Sequence, residues 1–299
     1  MLAVESVPAP AVSPPKQSLP HGACDAHSHV FGSFDRFAPS QASVYALPEA
    51  SPEAHEAMRA KLGSSFGVLT QPAPYGSDPA AMLHALRAAK GRLRGIAATG
   101  PDIDDETLAD WHAASIRGLR FVEMRAPGGG RYPGSVGVDA LRELAPRLRE
   151  LGWHAQLWAN AADHAALLPG LLRLGLPLVL DHMGCPDPAR GRSDSAFAAI
   201  LDLMRSGQIW VKIAICRVSR AAPFYEDARP LHEALLEAAP ERLLWGSDWP
   251  YVRLQPIPDA GRLLDLFHDW TPDETLRRRI LVDNPSKLYG FGAASGEAA

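Results

Sequence analysis

Short apolar runs with many β-branched residues recur along the chain at 22–26, 66–71, 93–99, 116–124, 153–160, 176–182, 208–215 and 242–247. Several are apolar at nearly every position instead of alternating, as parallel strands covered on both faces are. Between them, 80–90, 138–151, 161–174, 195–205 and 229–238 repeat apolar residues at helical spacing. Ser77-Asp78-Pro79 offers a cap and a first-turn proline before the segment starting at Ala80, and Gly91 ends it. Beyond the last strand, 259–267 predicts a further helix, and Thr271-Pro272-Asp273-Glu274 reads as a capping box. Eight strands alternating with helices predict a single-domain (β/α)8 TIM barrel of the α/β class. A doubly wound open sheet would place a glycine-rich phosphate turn after its first strand. Here that place holds Asp25-Ala26-His27-Ser28-His29.

The bulk numbers leave this picture standing. A chain of 299 residues fits one barrel, and 46% hydrophobic with 21% charged residues is an ordinary globular composition. A formal net charge of −4 gives no electrostatic footprint for nucleic acid or an anionic membrane surface, so a small-molecule partner is expected. A homo-oligomer is compatible with the sequence. No apolar run approaches the length of a transmembrane helix. Residues 1–20, with five prolines and neither a basic nor an apolar block, read as an extended arm. Such an arm is either disordered or laid against the barrel or a neighbouring subunit. The barrel is expected over 21–291 and a flexible tail over 292–299. Cys24, Cys185 and Cys216 form no disulfide framework; they read as small buried thiols kept reduced in the cytoplasm.

The chemistry concentrates at strand ends. In Asp25-Ala26-His27-Ser28-His29, the two histidines stand at i and i+2, so on a strand both point to one face and can chelate a divalent ion such as zinc. Alone, such a pair also fits packed, hydrogen-bonded histidines. Two further apolar strands end on polar groups, one at Asp181-His182 and one at Ser247-Asp248. Barrel enzymes place catalytic groups at strand C-termini, so three strands deliver His27, His29, His182 and Asp248 to one mouth.

At these residues the chain resembles the amidohydrolase superfamily, and more narrowly the branch with 2-pyrone-4,6-dicarboxylate lactonase and sugar-acid lactonases. The segments that carry the resemblance are GACDAHSHVFG (22–32), GLRF (118–121), GWHAQLW (152–158), LVLDHMGCPD (178–187), WVKIAICRVS (210–219), LLWGSDWP (243–250) and DNPSKLYGF (283–291). The resemblance implies that His27, His29 and His182, with Asp248, hold one divalent metal, zinc foremost, or that without metal the imidazoles polarise the substrate carbonyl directly. It implies that Asp248 is the general base for attacking water. GLRFVEM fills the strand where binuclear members carry a metal-bridging lysine, so at most one metal is expected.

Arg120, Arg125 and Arg217 read as a clamp for an acidic substrate, since guanidinium groups suit bidentate capture of carboxylates. Tyr45 matches a tyrosine of the lactonases, and Trp158, Ser77 and Gln71 are further candidates for the pocket. The chain departs from the dicarboxylate lactonases at Glu123, at Trp158, in the glycine run before Arg131-Tyr132, and at Tyr251-Val252-Arg253. Glu123 is expected to weaken binding of a doubly charged pyrone. The expected activity is therefore lactone hydrolysis, with a metal-dependent decarboxylase of an unsaturated or aromatic acid, a lactone isomerase, and a non-catalytic ligand-binding barrel as the competing readings.

Overall fold

The computed structural model describes residues 5–292, so the expected tail lies outside the described residues from 293 onward. In chain order the strands are β1 (Ser6–Pro8), β2 (Cys24–Ser28), β3 (Leu47–Glu49), β4 (Phe66–Thr70), β5 (Leu93–Ala97), β6 (Ile116–Val122), β7 (His154–Trp158), β8 (Leu178–Leu180), β9 (Ile209–Ile213) and β10 (Leu243–Trp245). The longer helices are α1 (Pro52–Leu62), α2 (Ala80–Ala88), α3 (Asp105–Ala113), α4 (Val138–Glu150), α5 (Ala161–Leu171), α6 (Ser195–Arg205), then, past the one-turn α7 (Ile215–Val218), α8 (Arg229–Ala238) and α9 (Ala260–Trp270). The short α10 (Glu274–Arg278) and α11 (Asn284–Tyr289) follow.

One eight-stranded sheet runs β2-β4-β5-β6-β7-β8-β9-β10 with parallel neighbours throughout. Its outer strands meet just past their ends, where Asp248 N donates to His27 O at 2.8 Å and His29 N donates to Trp249 O at 2.9 Å. The closing approach is tight, since a Cβ added to Gly246 would lie 2.5 Å from the Cβ of His27. The (β/α)8 barrel is therefore as expected, with strands shorter than the apolar runs. β2 alone shifts along the chain, because Gly22 turns at φ 84° and pairing begins only at Cys24.

Local signals explain the helices. Ser51 caps α1 with Pro52 in its first turn, and Asp104 caps α3. Asp273, rather than Thr271, caps α10, accepting from Thr275 N and Leu276 N. The 5–20 segment runs along the barrel: β1 pairs with β3, Ser13 N donates to Asp259, Lys16 N donates to Asp265, and Pro10 O accepts from Trp249 Nε1.

The interior is layered. Cys24, Val68, Val179, Trp210 and Leu244 meet Tyr289 and Phe291 in one apolar cluster at the base. Two residues further along three of these strands, on the same face, stand Thr70, Asp181 and Lys212. The barrel is thus apolar below and polar above, where the strands end. That step positions the site.

Candidate active site

Each central side chain emerges where a strand gives way to a turn. A register irregularity between Asp25 and Ser28 in β2 takes in His27 and comes just before His29. After β8, His182 and Met183 adopt positive φ of 50° and 59°, and after β10 Asp248 does so at 62°. Side chains in this left-handed region cost energy, and here the turns are held by hydrogen bonds. Asp25 accepts from His27 N at 3.1 Å and from Ser247 N at 2.9 Å, which ties the first and last barrel strands together beneath the site.

The three imidazoles converge on one oxygen. Asp248 Oδ1 lies 3.5 Å from His27 Nε2, 3.6 Å from His29 Nε2 and 3.3 Å from His182 Nε2, and all four side chains are buried. Asp248 Oδ2 accepts from Arg217 Nε. Burial pushes the Asp248 carboxyl up, but the Arg217 guanidinium, with His182 and His29, holds it well below the usual carboxylate range. Asp248 is therefore ionised, with Oδ2 on Arg217 and Oδ1 turned to the three imidazoles, His182 Nε2 at hydrogen-bond distance.

Proton placement follows from the partners. His29 Nδ1 lies 2.7 Å from Thr70 O, and a carbonyl only accepts, so Nδ1 carries the proton and Nε2 offers a lone pair when the ring is neutral. His27 Nδ1 sits between Asp181 Oδ1 at 3.2 Å and Lys212 Nζ at 3.4 Å. A proton given to the carboxylate leaves a lone pair on Nε2; one received from the ammonium leaves Nε2–H facing the site. Burial drives both His27 and His29 towards the neutral form.

Beneath lies a charged layer that the strand patterns conceal. Asp181 Oδ2 accepts from Arg120 Nε at 3.2 Å, from Arg120 Nη2 at 3.1 Å and from Gln156 Nε2 at 3.2 Å. Gln156 Oε1 accepts from Lys212 Nζ at 2.5 Å. Burial raises the Asp181 carboxyl, yet His27 and Arg120 outweigh it and hold the group well below its usual range. Burial pulls Lys212 down to about 8 despite the opposing pull of Asp181. The signal for Lys212 and Gln156 was present: a lysine and a glutamine inside runs covered on both faces must have buried partners.

Two overlapping trios bring possible donors for a divalent ion within 4.8 Å of one another: His27 with His29 and Asp248, and His27 with Asp181 and His182. Three Nε2 atoms lie 3.3–3.6 Å from the Asp248 oxygen. Those nitrogen–oxygen separations are close to the about 3.3 Å between ligand atoms of an ion with bonds of about 2.0–2.1 Å, and His27, His29 and Asp248 are the trio that meets at this oxygen. The His27 Nε2 atom is buried without a hydrogen-bond partner, as a ligand-facing nitrogen would be. Asp181 Oδ1 stands 3.2 Å from His27 Nδ1, where a carboxylate often stands behind a metal-ligating histidine.

Above the cluster is a cavity lined by His29, Tyr45, Arg120, Trp158, His182, Arg217 and Asp248, together with Tyr132 and Arg253. Four residues that the sequence set near the substrate line no part of it. Ser77 and Arg125 are exposed and line no part of it. Gln71 is buried but turned to its own loop, donating to Gly76 O at 2.6 Å and accepting from Ala98 N at 3.2 Å. Glu123 also faces away, accepting from Val138 N at 2.8 Å and from Arg131, so it places no negative charge on the cavity wall. Tyr132 and Arg253 were not foreseen in it.

A closed parallel barrel with this cluster at the C-terminal mouth is the architecture of a barrel hydrolase. The sequence profile of the amidohydrolase family matches residues 24–291, and the chain belongs to that family. It is 35% identical over 288 residues to 2-pyrone-4,6-dicarboxylate hydrolase of Comamonas testosteroni, covering 93% of each chain. It is 33% identical over 284 residues to 4-sulfomuconolactone hydrolase of Hydrogenophaga intermedia, covering 93% of this chain and 92% of the relative. A solved structure, described as a putative 2-pyrone-4,6-dicarboxylic acid hydrolase from Pseudomonas putida, superposes with a TM-score of 0.78 at 34% identity. That match covers 92% of this chain and 99% of the other.

Proposed function

We propose that the protein is a lactonase that opens a cyclic ester by water attack, with Asp248 as general base and His27, His29 and His182 around the substrate carbonyl. The observation that carries this reading is the convergence of three imidazoles on the second oxygen of an ionised, arginine-oriented carboxylate. The relatives named for lactone hydrolysis support it.

Asp248 Oδ1 takes a proton from water as the water oxygen bonds to the carbonyl carbon. The carbonyl oxygen gains negative charge beside the imidazoles. Collapse breaks the ring C–O bond, and the proton on Asp248 passes to the leaving oxygen. The products are a carboxylic acid and a hydroxyl or enol. A carboxylate held below its usual pKa is a weak base, so stabilising the developing charge matters more than base strength. A single divalent ion, zinc foremost, would be held by His27, His29, His182 and Asp248 and would supply Lewis-acid polarisation of the carbonyl. Arg120, Arg217, Tyr45 and Trp158 would contact the rest of the substrate. The three free thiols favour a cytoplasmic location, and among the described residues no helix is long and apolar enough to cross a membrane.

The test is turnover of a lactone panel in water enriched in oxygen-18, with elemental analysis of the same preparation. A lactonase adds one labelled oxygen to the new carboxylate. An isomerised product without label, or carbon dioxide release, would replace this reading, and about one equivalent of zinc would support the metal.

A further inference from the structure

The charges around the cavity do not balance. Three guanidinium groups line it, from Arg120, Arg217 and Arg253. Arg120 is paired with Asp181 and Arg217 with Asp248, both buried carboxylates. Among the described residues, no salt bridge within 4.0 Å engages Arg253. Its Nη1 donates to Tyr132 Oη, and its guanidinium lies 5.4 Å from the Tyr132 ring centroid. Arg253, exposed where it borders the cavity, is thus the lining arginine without a carboxylate partner among the described residues.

The arm that presents it is fixed to the catalytic carboxylate. Arg217 gives Nε to Asp248 and Nη1 to Val252 O at 2.7 Å, so one guanidinium sets both the base and the residue before Arg253. Tyr251 and Arg253 hold positive φ of 62° and 67°, which non-glycine residues adopt at a cost in energy. From the catalytic side a ladder of rings leads to the same place. Trp158 packs edge-on to His182 at 5.5 Å, and Tyr132 stacks on Trp158 at 5.2 Å.

Resting on the lactonase reading, we infer that Arg253 and Tyr132 form the specificity site for an oxyanion substituent of the lactone, a carboxylate or a sulfonate, placed across the cavity from the ester being opened. Tyr132 Oη accepts from Arg253 and keeps its own proton to donate. The guanidinium retains further N–H groups in a planar fork that matches such an oxyanion. Both donors face one cavity, and its remaining cations already have partners.

The experiment compares neutral 2-pyrone, 2-pyrone-6-carboxylate and 4-sulfomuconolactone on the full chain and on its Arg253→Leu, Arg253→Lys and Tyr132→Phe variants. For Arg253→Leu, the ratio of KM for a charged lactone to KM for neutral 2-pyrone is expected to rise about tenfold or more, the loss of a charged hydrogen bond. The kcat for the charged lactone stays within about threefold, since the group sits away from the reacting atoms. Arg253→Lys recovers part of the loss by restoring the charge, and Tyr132→Phe gives a smaller loss. The carboxylate and sulfonate arms show which oxyanion the site prefers. Isophthalate and benzenesulfonate, titrated by calorimetry, read the site without turnover. Weaker binding of either probe by Arg253→Leu, with no lactone hydrolysed by the wild type, would sink the lactonase reading and keep the oxyanion site. Lactones turned over with an unchanged KM ratio and unchanged probe affinity would overturn the site and leave the lactonase.

Discussion

Asp181 joins two functions in one carboxylate: it faces His27 Nδ1 through Oδ1 and binds Arg120 through Oδ2. Asp181→Asn removes the negative charge beside His27 Nδ1 and leaves Arg120 without its counter-charge. Supporting residues of this kind cost about 10–100-fold in metal affinity or activity, and titration with zinc together with steady-state kinetics checks that loss. An unchanged pair of constants would show His27 to be set by Lys212 alone. His27, His29, His182 and Asp248 were legible because each stands where an apolar run stops. Lys212, Gln156 and Thr70 were not, because they sit inside runs whose apolar neighbours dominate the pattern. Ser77 and Arg125 lie outside the cavity for a different reason. Their side-chain directions are set by loop conformation, which residue type and spacing do not encode.

At the scale of elements, the site depends on the seam between β2 and β10. Gly246 lets the two backbones approach, and an added methyl would meet the Cβ of His27. Gly246→Ala is expected to cost about 1–3 kcal/mol, the usual range for overpacking, seen as a lower urea midpoint. Because the displaced residue is His27, kcat should fall as well. Stability lost with kcat kept would mean that the seam yields elsewhere. The strand order and most helices were readable from period and punctuation. α1 and α3 were overlooked although Ser51 and Asp104 cap them, because their apolar faces are weak beside their charged ones. The pairing of β1 with β3 was unreadable, since three exposed residues carry no period.

For the whole molecule, burial of imidazoles sets an acid limit. Burial lowers His55, His154 and His232 from 6.5 to about 3 and His164 to about 4. Between those values the unfolded chain holds more protons than the folded one, so stability is present above pH 6.5 and lost as pH falls. At pH 5 each histidine costs about 2 kcal/mol. Asp25, raised by burial to about 6, works in the opposite direction over the same window and offsets about one histidine. Urea midpoints should fall steadily as pH drops from 6.5 to 5, and Lys212, held at about 8 by burial, adds a rise with pH in the same sense between pH 7 and 8. Equal midpoints at 7 and 5 would mean that these rings titrate freely in the fold.

The central claim is that Asp248, amid three histidines, moves the proton of the attacking water. Its most direct test is steady-state turnover of a hydrolysed lactone by Asp248→Asn beside the wild type. A kcat lower by about 10²–10⁴-fold with KM changed only a few-fold is the predicted result. A kcat within about twofold of the wild type would contradict the account.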